Sequence, residues 1–381
     1  MTLTTFVTKS AFRNRRRSIL TVISLGVSLF LLTFLLTLWK GFYIDKGAPD
    51  SALRIMTRHR TSLANFLPAY YRGKIRTIPG VTHIVPMTWF GGKYRDDKPE
   101  NYFAQFATDP QEYMLVAADK QMPADQLAAW QHDRAGCIVD TTLAEKHGWK
   151  IGDHIHLQGN IFPTDLDLTL RGIYTIDPPN SNLYFDQEYL SQSVDWFKDT
   201  AGFYFIRTDS AESMPRVARA IDDEFHNATA PTKSESEQAF KLDFIATLGN
   251  VKAFILSICA AVVFTTLLVC ANTMAMSIRE RTREVAVLRT LGFTRQRILS
   301  LLLGESVAIS LIGGLLGLLF AALVMKVLIR PGIALPTQLK LTSLTVVVVM
   351  LVAALVGVVS GLIPSYRASH VGIVEGLRHI G

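Results

Sequence analysis

Apolar residues in this chain gather into four long runs, too long and too continuous for the core-facing stripes of soluble helices and strands. The first, Ser18 to Trp39, holds no charged residue and is long enough to cross about 30 Å of hydrocarbon as a helix. The second runs from Ala253 to Met276, the third from about Leu299 to Met325 and the fourth from Leu341 to Ile363; Glu305 is the one charge among them. A basic stretch ahead of the first run also suits a cleaved signal peptide. The run nevertheless exceeds a signal core of about 7 to 15 residues, and no A-x-A-like site follows before Gly41, so an uncleaved span is the preferred reading.

Residues 40–252 contain no such run and alternate short β-rich and helical stretches. Residues 82–90, 101–108 and 202–208 are rich in β-branched and aromatic side chains, whereas 123–133 and 211–228 place apolar residues at helical spacing. Within 136–159, a strand, a short helix capped by Asp140 or Thr141, a Gly-Asp turn and a further strand predict a small β-rich subdomain that continues through 168–179. Phe240, Phe244 and Leu248, four residues apart, predict a helix running straight into the second span as a rigid stalk. Leu3, Phe6, Val7 and Ala11 share one side of a short amphipathic helix, with Lys9 and Arg13 on the other, as suits a membrane surface. The fold class is a polytopic α-helical membrane protein with four transmembrane helices and a large α+β extracytoplasmic domain between the first two. Its segments are an N-terminal helix (1–17), TM1 (18–39), the extracytoplasmic domain with its stalk (40–252), TM2 (253–276), a connecting helix (277–298), TM3 (299–325), a short external loop (326–340), TM4 (341–363) and a C-terminal segment (364–381).

Charge sets the orientation. Residues 1–17 carry Lys9, Arg13, Arg15, Arg16 and Arg17 without an acid, and residues 279–297 carry six arginines. Lys and Arg beside membrane spans favour the cytoplasmic side, which places both termini and the connecting helix in the cytoplasm and residues 40–252 outside. The outer segment has 23 Lys and Arg against 28 Asp and Glu and is five units negative, so the +7 of the whole chain belongs to the inner face and is not a nucleic-acid footprint. Lys326, Arg330 and Lys340 then lie outside, against the trend. Cys259 and Cys270 fall within TM2, which leaves Cys137 alone outside with no partner for an intrachain disulfide.

Chemistry of the usual catalytic kinds is missing. The sequence has no G-x-x-x-x-G-K-[ST] phosphate loop, no G-x-S-x-G elbow, no H-E-x-x-H helix and no C-x-x-C pair, so neither catalytic residues, a metal site nor a bound cofactor is assigned. His154 and His156 would share one face of a strand but have no third ligand nearby and are read as surface residues. Asn227-Ala228-Thr229 matches a glycosylation sequon, a triplet too common to carry weight. Glu305, about two turns inside TM3, is read as half of a structural ion pair with an arginine in preference to a proton relay. Gly313 and Gly317 in TM3, and Gly357 and Gly361 in TM4, have the G-x-x-x-G spacing that lets helices approach closely.

The connecting stretch RERTREVAVLRTLGFTRQR places Val285, Leu288 and Leu291 on an apolar stripe, with Arg281, Arg283, Glu284 and Arg289 around it. Gly292 is a candidate C-cap and Thr294 an N-cap for TM3, which predicts a tight elbow between them. A basic loop lying on anionic lipid is the alternative, but it requires neither the apolar stripe nor the glutamates. This stretch with its continuation through Ala321, the C-terminal IPSYRASHVGIVEGLR (363–378) and the external LAEKHGWKIGDHIHL (143–157) resemble the FtsX-like, MacB-type permeases of type VII ABC transporters. The resemblance implies an ATPase dimer on a separate chain, where ATP and Mg bind, and a second permease copy, identical or different. It also implies a location in the bacterial inner membrane, possible help from a periplasmic adaptor and an outer-membrane channel, and mechanotransmission of ATPase motion to the outer domain. On this reading the chain is not itself an enzyme; it drives export or extraction of a lipoprotein, peptide, drug-like compound or other amphiphile. The alternative within the resemblance is an FtsX-like signalling subunit that regulates a cell-wall hydrolase. The segment 281–292 is then the ATPase-docking surface. The charge-derived topology predicts that a membrane-impermeant thiol reagent reaches Cys137 from outside and an introduced Thr290→Cys only from inside; the opposite labelling would overturn it.

Overall fold

A computed structural model describes residues 15–44, 49–96, 98, 101–177, 179–247, 249–328 and 341–372. The N-terminal amphipathic helix, most of the 326–340 loop and the C-terminal segment beyond residue 372 therefore lie outside the described residues. The chain divides into a membrane unit, built from its N-terminal and C-terminal parts, and an α+β unit built chiefly from residues 45–249.

The membrane unit holds TM1 (Arg15–Tyr43), TM2 (Val251–Glu280), a short connecting helix (Thr282–Thr290), TM3 (Arg295–Leu328) and TM4 (Ser343–His370). All four long helices are apolar enough to cross a membrane. Each is longer than its apolar run at one end or both, because a helix satisfies its own backbone hydrogen bonds and need not stop where the hydrocarbon does. TM4 continues through Pro364 to His370. TM3 packs against TM1 and TM4, and TM2 against the same two helices.

Both glycine pairs sit at these crossings. A Cβ at Gly313 would lie 2.6 Å from Leu25 Cβ, and one at Gly317 would lie 2.7 Å from the Gly26 carbonyl oxygen, so TM3 meets TM1 backbone to backbone. Nearer the start of TM3, a Cβ at Gly357 would lie 2.7 Å from Val307 Cα and one at Gly361 2.8 Å from Ser306 Cβ. Ser306 Oγ donates to the Gly357 carbonyl at 2.6 Å across this contact. Lipid supplies no hydrophobic drive for helix association, so close packing and such hydrogen bonds hold the bundle.

The α+β unit contains β1 (Arg54–His59), β2 (Leu67–Pro68), α1 (Tyr71–Arg76), β3 (Val81–Trp89), β4 (Ala104–Thr108), α2 (Tyr113–Val116), α3 (Ala124–His132), β5 (Gly136–Asp140) and α4 (Thr141–His147). It continues with β6 (His154–Leu157), β7 (Leu166–Tyr174), β8 (Asn182–Asp186), α5 (Gln187–Ser193), β9 (Thr200–Ala201), β10 (Phe203–Thr208), α6 (Met214–Glu224), β11 (Thr232–Ser236) and α7 (Glu237–Thr247). Nine strands form one sheet in the order β11-β1-β10-β3-β4-β8-β5-β7-β6, and β2 pairs with β9. Strand alternation sorts the side chains onto two faces. Ile55, Tyr204 and Ile206 pack with α1 and α6, and Val139, Leu168 and Phe185 pack with α4 and α5, while Val85, Tyr184 and Phe205 face the other way.

Three expectations change. The 136–159 segment does form a strand, a helix capped by Asp140 through the Thr142 amide, a left-handed Gly148 and a further strand. It is not a separate subdomain, because β5 hydrogen-bonds to β8 and β8 runs parallel to β4, which makes its strands the far half of one sheet. The helix expected to run from Phe240 into TM2 is interrupted: α7 stops at Thr247, Gly249 adopts φ +103° and Asn250 caps a new helix through the Ala253 amide at 3.0 Å. Cys137 lies on β5 with its side chain fully buried, and burial raises its thiol pKa far above the ordinary range, so it cannot report topology. The exposed Ala211 is the place for an outer Ala211→Cys probe.

His147 closes α4 against Trp149 and Tyr94, at ring-centroid distances of 4.6 and 5.2 Å. Burial first, then the nearby charges of Lys146 and Arg95, lower its pKa to about 4. The unfolded imidazole titrates near 6.5, so between these values the unfolded chain binds more protons. The stabilisation is therefore fully present above about pH 6.5 and is lost as pH falls toward 4. Thermal unfolding of a His147→Phe variant should show a flatter decline across this window than wild type; parallel curves would remove His147 as the cause.

Candidate functional site

The connecting helix Thr282–Thr290 is short because both ends are locally enforced. At its start, Arg281 leaves helical geometry with φ −106° and ψ 6°. At its end, Gly292 takes φ +90°, its amide donates to the Arg289 carbonyl at 3.1 Å, and the Phe293 amide donates to the Leu288 carbonyl at 3.1 Å. This is a Schellman closure, and the left-handed residue it needs is cheapest as glycine. Thr294 Oγ1 then accepts from the Arg297 amide at 3.4 Å and opens TM3. Two helices thus meet across an elbow of four residues, Leu291 to Thr294.

The two sides of the connecting helix have different partners. Val285 is 3% exposed and packs with Ile278 of TM2, Ile298 and Leu302 of TM3 and Ala368 of TM4, with Leu288 against the same cluster. Arg281 Nη1 donates to Glu305 Oε2 at 2.7 Å, and Glu305 is 4% exposed. Arg289 Nη1 donates to the Val371 carbonyl beyond the end of TM4. One side of the helix is thereby tied to its own bundle by an apolar cluster, a buried ion pair and a main-chain hydrogen bond.

This geometry redistributes the residues grouped by sequence. Arg281, Val285, Leu288 and Arg289 face or bind the chain's own helices, and Val285 has no surface to offer another protein. Of the apolar stripe Val285, Leu288 and Leu291, the first two seat the helix and Leu291 faces outward. Arg283, Glu284, Leu291 and Gly292 are exposed, with Leu291 70% so. Beside them lie Val287 and Phe293, both exposed and both missed by the sequence reading. Their spacing carried a signal, since Glu284, Val287 and Leu291 fall at i, i+3 and i+7, but two apolar stripes on one short helix cannot be ranked without knowing which one the bundle covers. His154 and His156 are both exposed on β6, and His156 Nδ1 lies 2.7 Å from Asp167 Oδ1. Among the described residues, no group of three or more His, Cys, Asp or Glu side chains converges as a metal site would require.

Residues 18–224 match the family described as MacB-like periplasmic core domain, and residues 256–373 match that described as FtsX-like permease C-terminal. The ABC transporter permease YknZ of Bacillus subtilis is 33% identical over 180 residues, covering 45% of this chain and 42% of that protein. The ABC transporter permease MJ1507 of Methanocaldococcus jannaschii is 21% identical over an alignment of 403 positions, covering 98% of this chain and 97% of that protein. The macrolide export ATP-binding/permease protein MacB of Rhodopirellula baltica is 34% identical over 108 residues, covering 28% of this chain and 15% of that protein. The chain thus spans less than half the length of YknZ and of this MacB. Among solved structures, the extracellular domain of YknZ matches with a TM-score of 0.35 and 17% identity, covering 48% of this chain and 99% of that domain.

Removing one member of a buried ion pair strands the other, at a cost on the order of 3 kcal/mol. Glu305→Ala should therefore lower the thermal midpoint of the purified protein clearly, Glu305→Gln should lower it less because an acceptor remains, and the exposed Arg283→Ala should leave it within about 0.5 kcal/mol of wild type. Equal midpoints for Glu305→Ala and Arg283→Ala would show that the pair does not hold the helix.

Proposed function

Because the chain belongs to the family of MacB-like ABC transporter permeases with an FtsX-like C-terminal region, we propose that it receives motion from an ABC ATPase through the outward side of its connecting helix. The observation that carries this reading is the division of that helix into a side fixed to the bundle and a side presenting Val287, Leu291 and Phe293 among charged neighbours. Exposed apolar side chains rimmed by charge are what a protein partner covers.

In this mechanism, closure of an ATPase dimer around ATP and Mg pushes the connecting helix on the cytoplasmic side of the inner membrane. The elbow at Leu291–Thr294 passes the displacement to TM3. Gly313 and Gly317 couple TM3 to TM1, and Gly357 and Gly361 couple it to TM4, because backbones in direct contact cannot slide without repacking. The two helices that flank the α+β domain in sequence are TM1 and TM2, so their movement is what that domain would feel. Two permease copies, one for each ATPase, complete the unit. The work is extraction or export of a periplasmic or membrane-associated amphiphile, with an adaptor and an outer-membrane channel where the substrate must leave the cell.

Leu291→Asp tests the docking surface at a position whose side chain contributes little to the fold. The variant should reach the membrane in wild-type amounts and lose at least about tenfold of the co-purified ATPase, together with substrate-stimulated ATP hydrolysis. Retention of both by a correctly folded Leu291→Asp protein would sink the assignment. Loss of membrane binding with the ATPase retained would identify a lipid contact instead.

A further inference from the structure

One face of the nine-stranded sheet is only partly covered. Arg54, Met56 and Arg58 of β1, Phe203 and Phe205 of β10, Phe106 of β4 and Tyr184 of β8 point to this face, and with α7 and the segment around Trp196 they enclose a cavity of about 1310 Å³. Its floor is aromatic, and its rim carries large apolar side chains open to solvent, including Trp89, Ile161 and Trp196. Six Lys and Arg side chains but only three carboxylates line it, in a segment that is five units negative overall. The cavity therefore carries local charge of the opposite sign to its domain.

Three of those six cations, Arg54, Arg58 and Lys233, are committed to carboxylates. Arg54 binds both oxygens of Asp119 at 2.6 and 3.0 Å and Glu237 at 2.6 Å, while Arg58 pairs with Glu235 and Asp243. Lys120 is different. It is 8% exposed and lines the cavity, yet among the described residues its ammonium makes no ion pair or side-chain hydrogen bond. Three phenol rings surround it, with Nζ 5.3 Å from the centroid of Tyr113, 5.6 Å from Tyr184 and 5.9 Å from Tyr174. Ring faces attract a cation but do not neutralise it. Burial raises the pKa values of Tyr113 and Tyr174 far above 10, so these phenols stay neutral and supply no counter-charge. The charge of Asp119 reaches Lys120, but both Asp119 oxygens are hydrogen-bonded to Arg54, so a buried ammonium facing an aromatic cavity is left without a direct partner and has room for a second anion.

We propose that this cavity binds a long-chain fatty acid, or an amphiphile with the same head and tail, with its carboxylate on Lys120 and its chain across the aromatic floor. A single ammonium matches a single compact negative charge, whereas a phosphate dianion would call for a fork of several donors, and the two buried arginine forks here, Arg54 and Arg58, are already occupied by carboxylates. The size and apolar lining fit a chain of many methylenes, each removing apolar area from water. The inference rests on the export reading only for what becomes of the ligand; binding itself requires no ATPase, so failure here leaves the docking surface untouched.

The test titrates full-length protein in phosphatidylcholine nanodiscs with cis-parinaric acid, a fluorescent fatty acid, following energy transfer from the rim tryptophans, with protein-free nanodiscs as blank. Binding should saturate, Lys120→Met should raise Kd at least about tenfold, and Lys120→Arg should recover most of the loss. The methyl ester should bind weakly and equally to wild type and Lys120→Met. Ile161→Asp, at an exposed rim position where folding is not at stake, should weaken the acid more than the ester. Absence of saturable binding to wild type, unchanged affinity in Lys120→Met, or an ester as tight as the acid would each overturn the proposal. Should Lys120→Met fail to fold, unchanged acid binding by Ile161→Asp would overturn it alone.

Discussion

The buried pair between Arg281 and Glu305 is the contact on which the organisation of the membrane unit turns. A carboxylate inside an apolar helix is costly unless a cation reaches it, and Arg281 reaches it because the chain at the end of TM2 comes back to the side of TM3. That requirement fixes where TM2 stops being helical. It also sets the position of the next nine residues, whose apolar side then lies along the bundle. Val285, Ile298 and Leu302 follow as the packing that such a path allows. The ion pair and the apolar cluster are two consequences of one fold-back, and neither would be in register without the other.

Two kinds of backbone satisfaction divide the chain. In hydrocarbon each N–H and C=O must be satisfied within the segment, which leaves the helix, and glycine pairs then allow helices close enough for Ser306 to reach a neighbouring carbonyl. Outside hydrocarbon the same groups can pair between distant segments. The α+β unit uses that freedom to join β4 to β8 in parallel across more than seventy residues of intervening chain, merging two patterns of strands into one sheet. The sheet covers one face with helices and leaves part of the other to a cavity, because α2, α3 and α7 are too short to span nine strands.

What could be read from sequence follows the range of the interactions involved. The four spans, the Asp140 cap, the strands at 81–89, 104–108 and 203–208 and the elbow at Gly292 depend on neighbours within a few residues, and their composition states them directly. The direction of the connecting helix did not, because Val285 and Leu288 on one side and Val287 and Leu291 on the other are equally apolar. The choice is made by Ile278, Ile298 and Ala368, which come from three different helices. The merged sheet was hidden for the same reason, since pairing between β4 and β8 leaves no periodic mark in either strand. Lys120 is the extreme case: one lysine in a polar loop, whose place against a cavity exists only after three tyrosines from separate elements have closed around it.

A helix that transmits force must be held to what it moves more firmly than the movement resists. Shifting a two-state element from one part in a hundred to ninety-nine requires about 5.5 kcal/mol of differential interaction. Against this, the connecting helix has a buried ion pair whose disruption costs about 3 kcal/mol. It also has one fully buried valine and a half-buried leucine, the valine contributing about 1.5 to 3 kcal/mol, and the Schellman closure that fixes its last turn to the elbow before TM3. The attachment is of the same size as the load. A partner pushing on Leu291 would therefore move the connecting helix and TM3 together, and removing either the ion pair or the valine would leave the helix able to peel away before TM3 moved. On the proposed docking, the strength of that seat, more than the chemistry of the exposed side, would decide whether docking becomes motion.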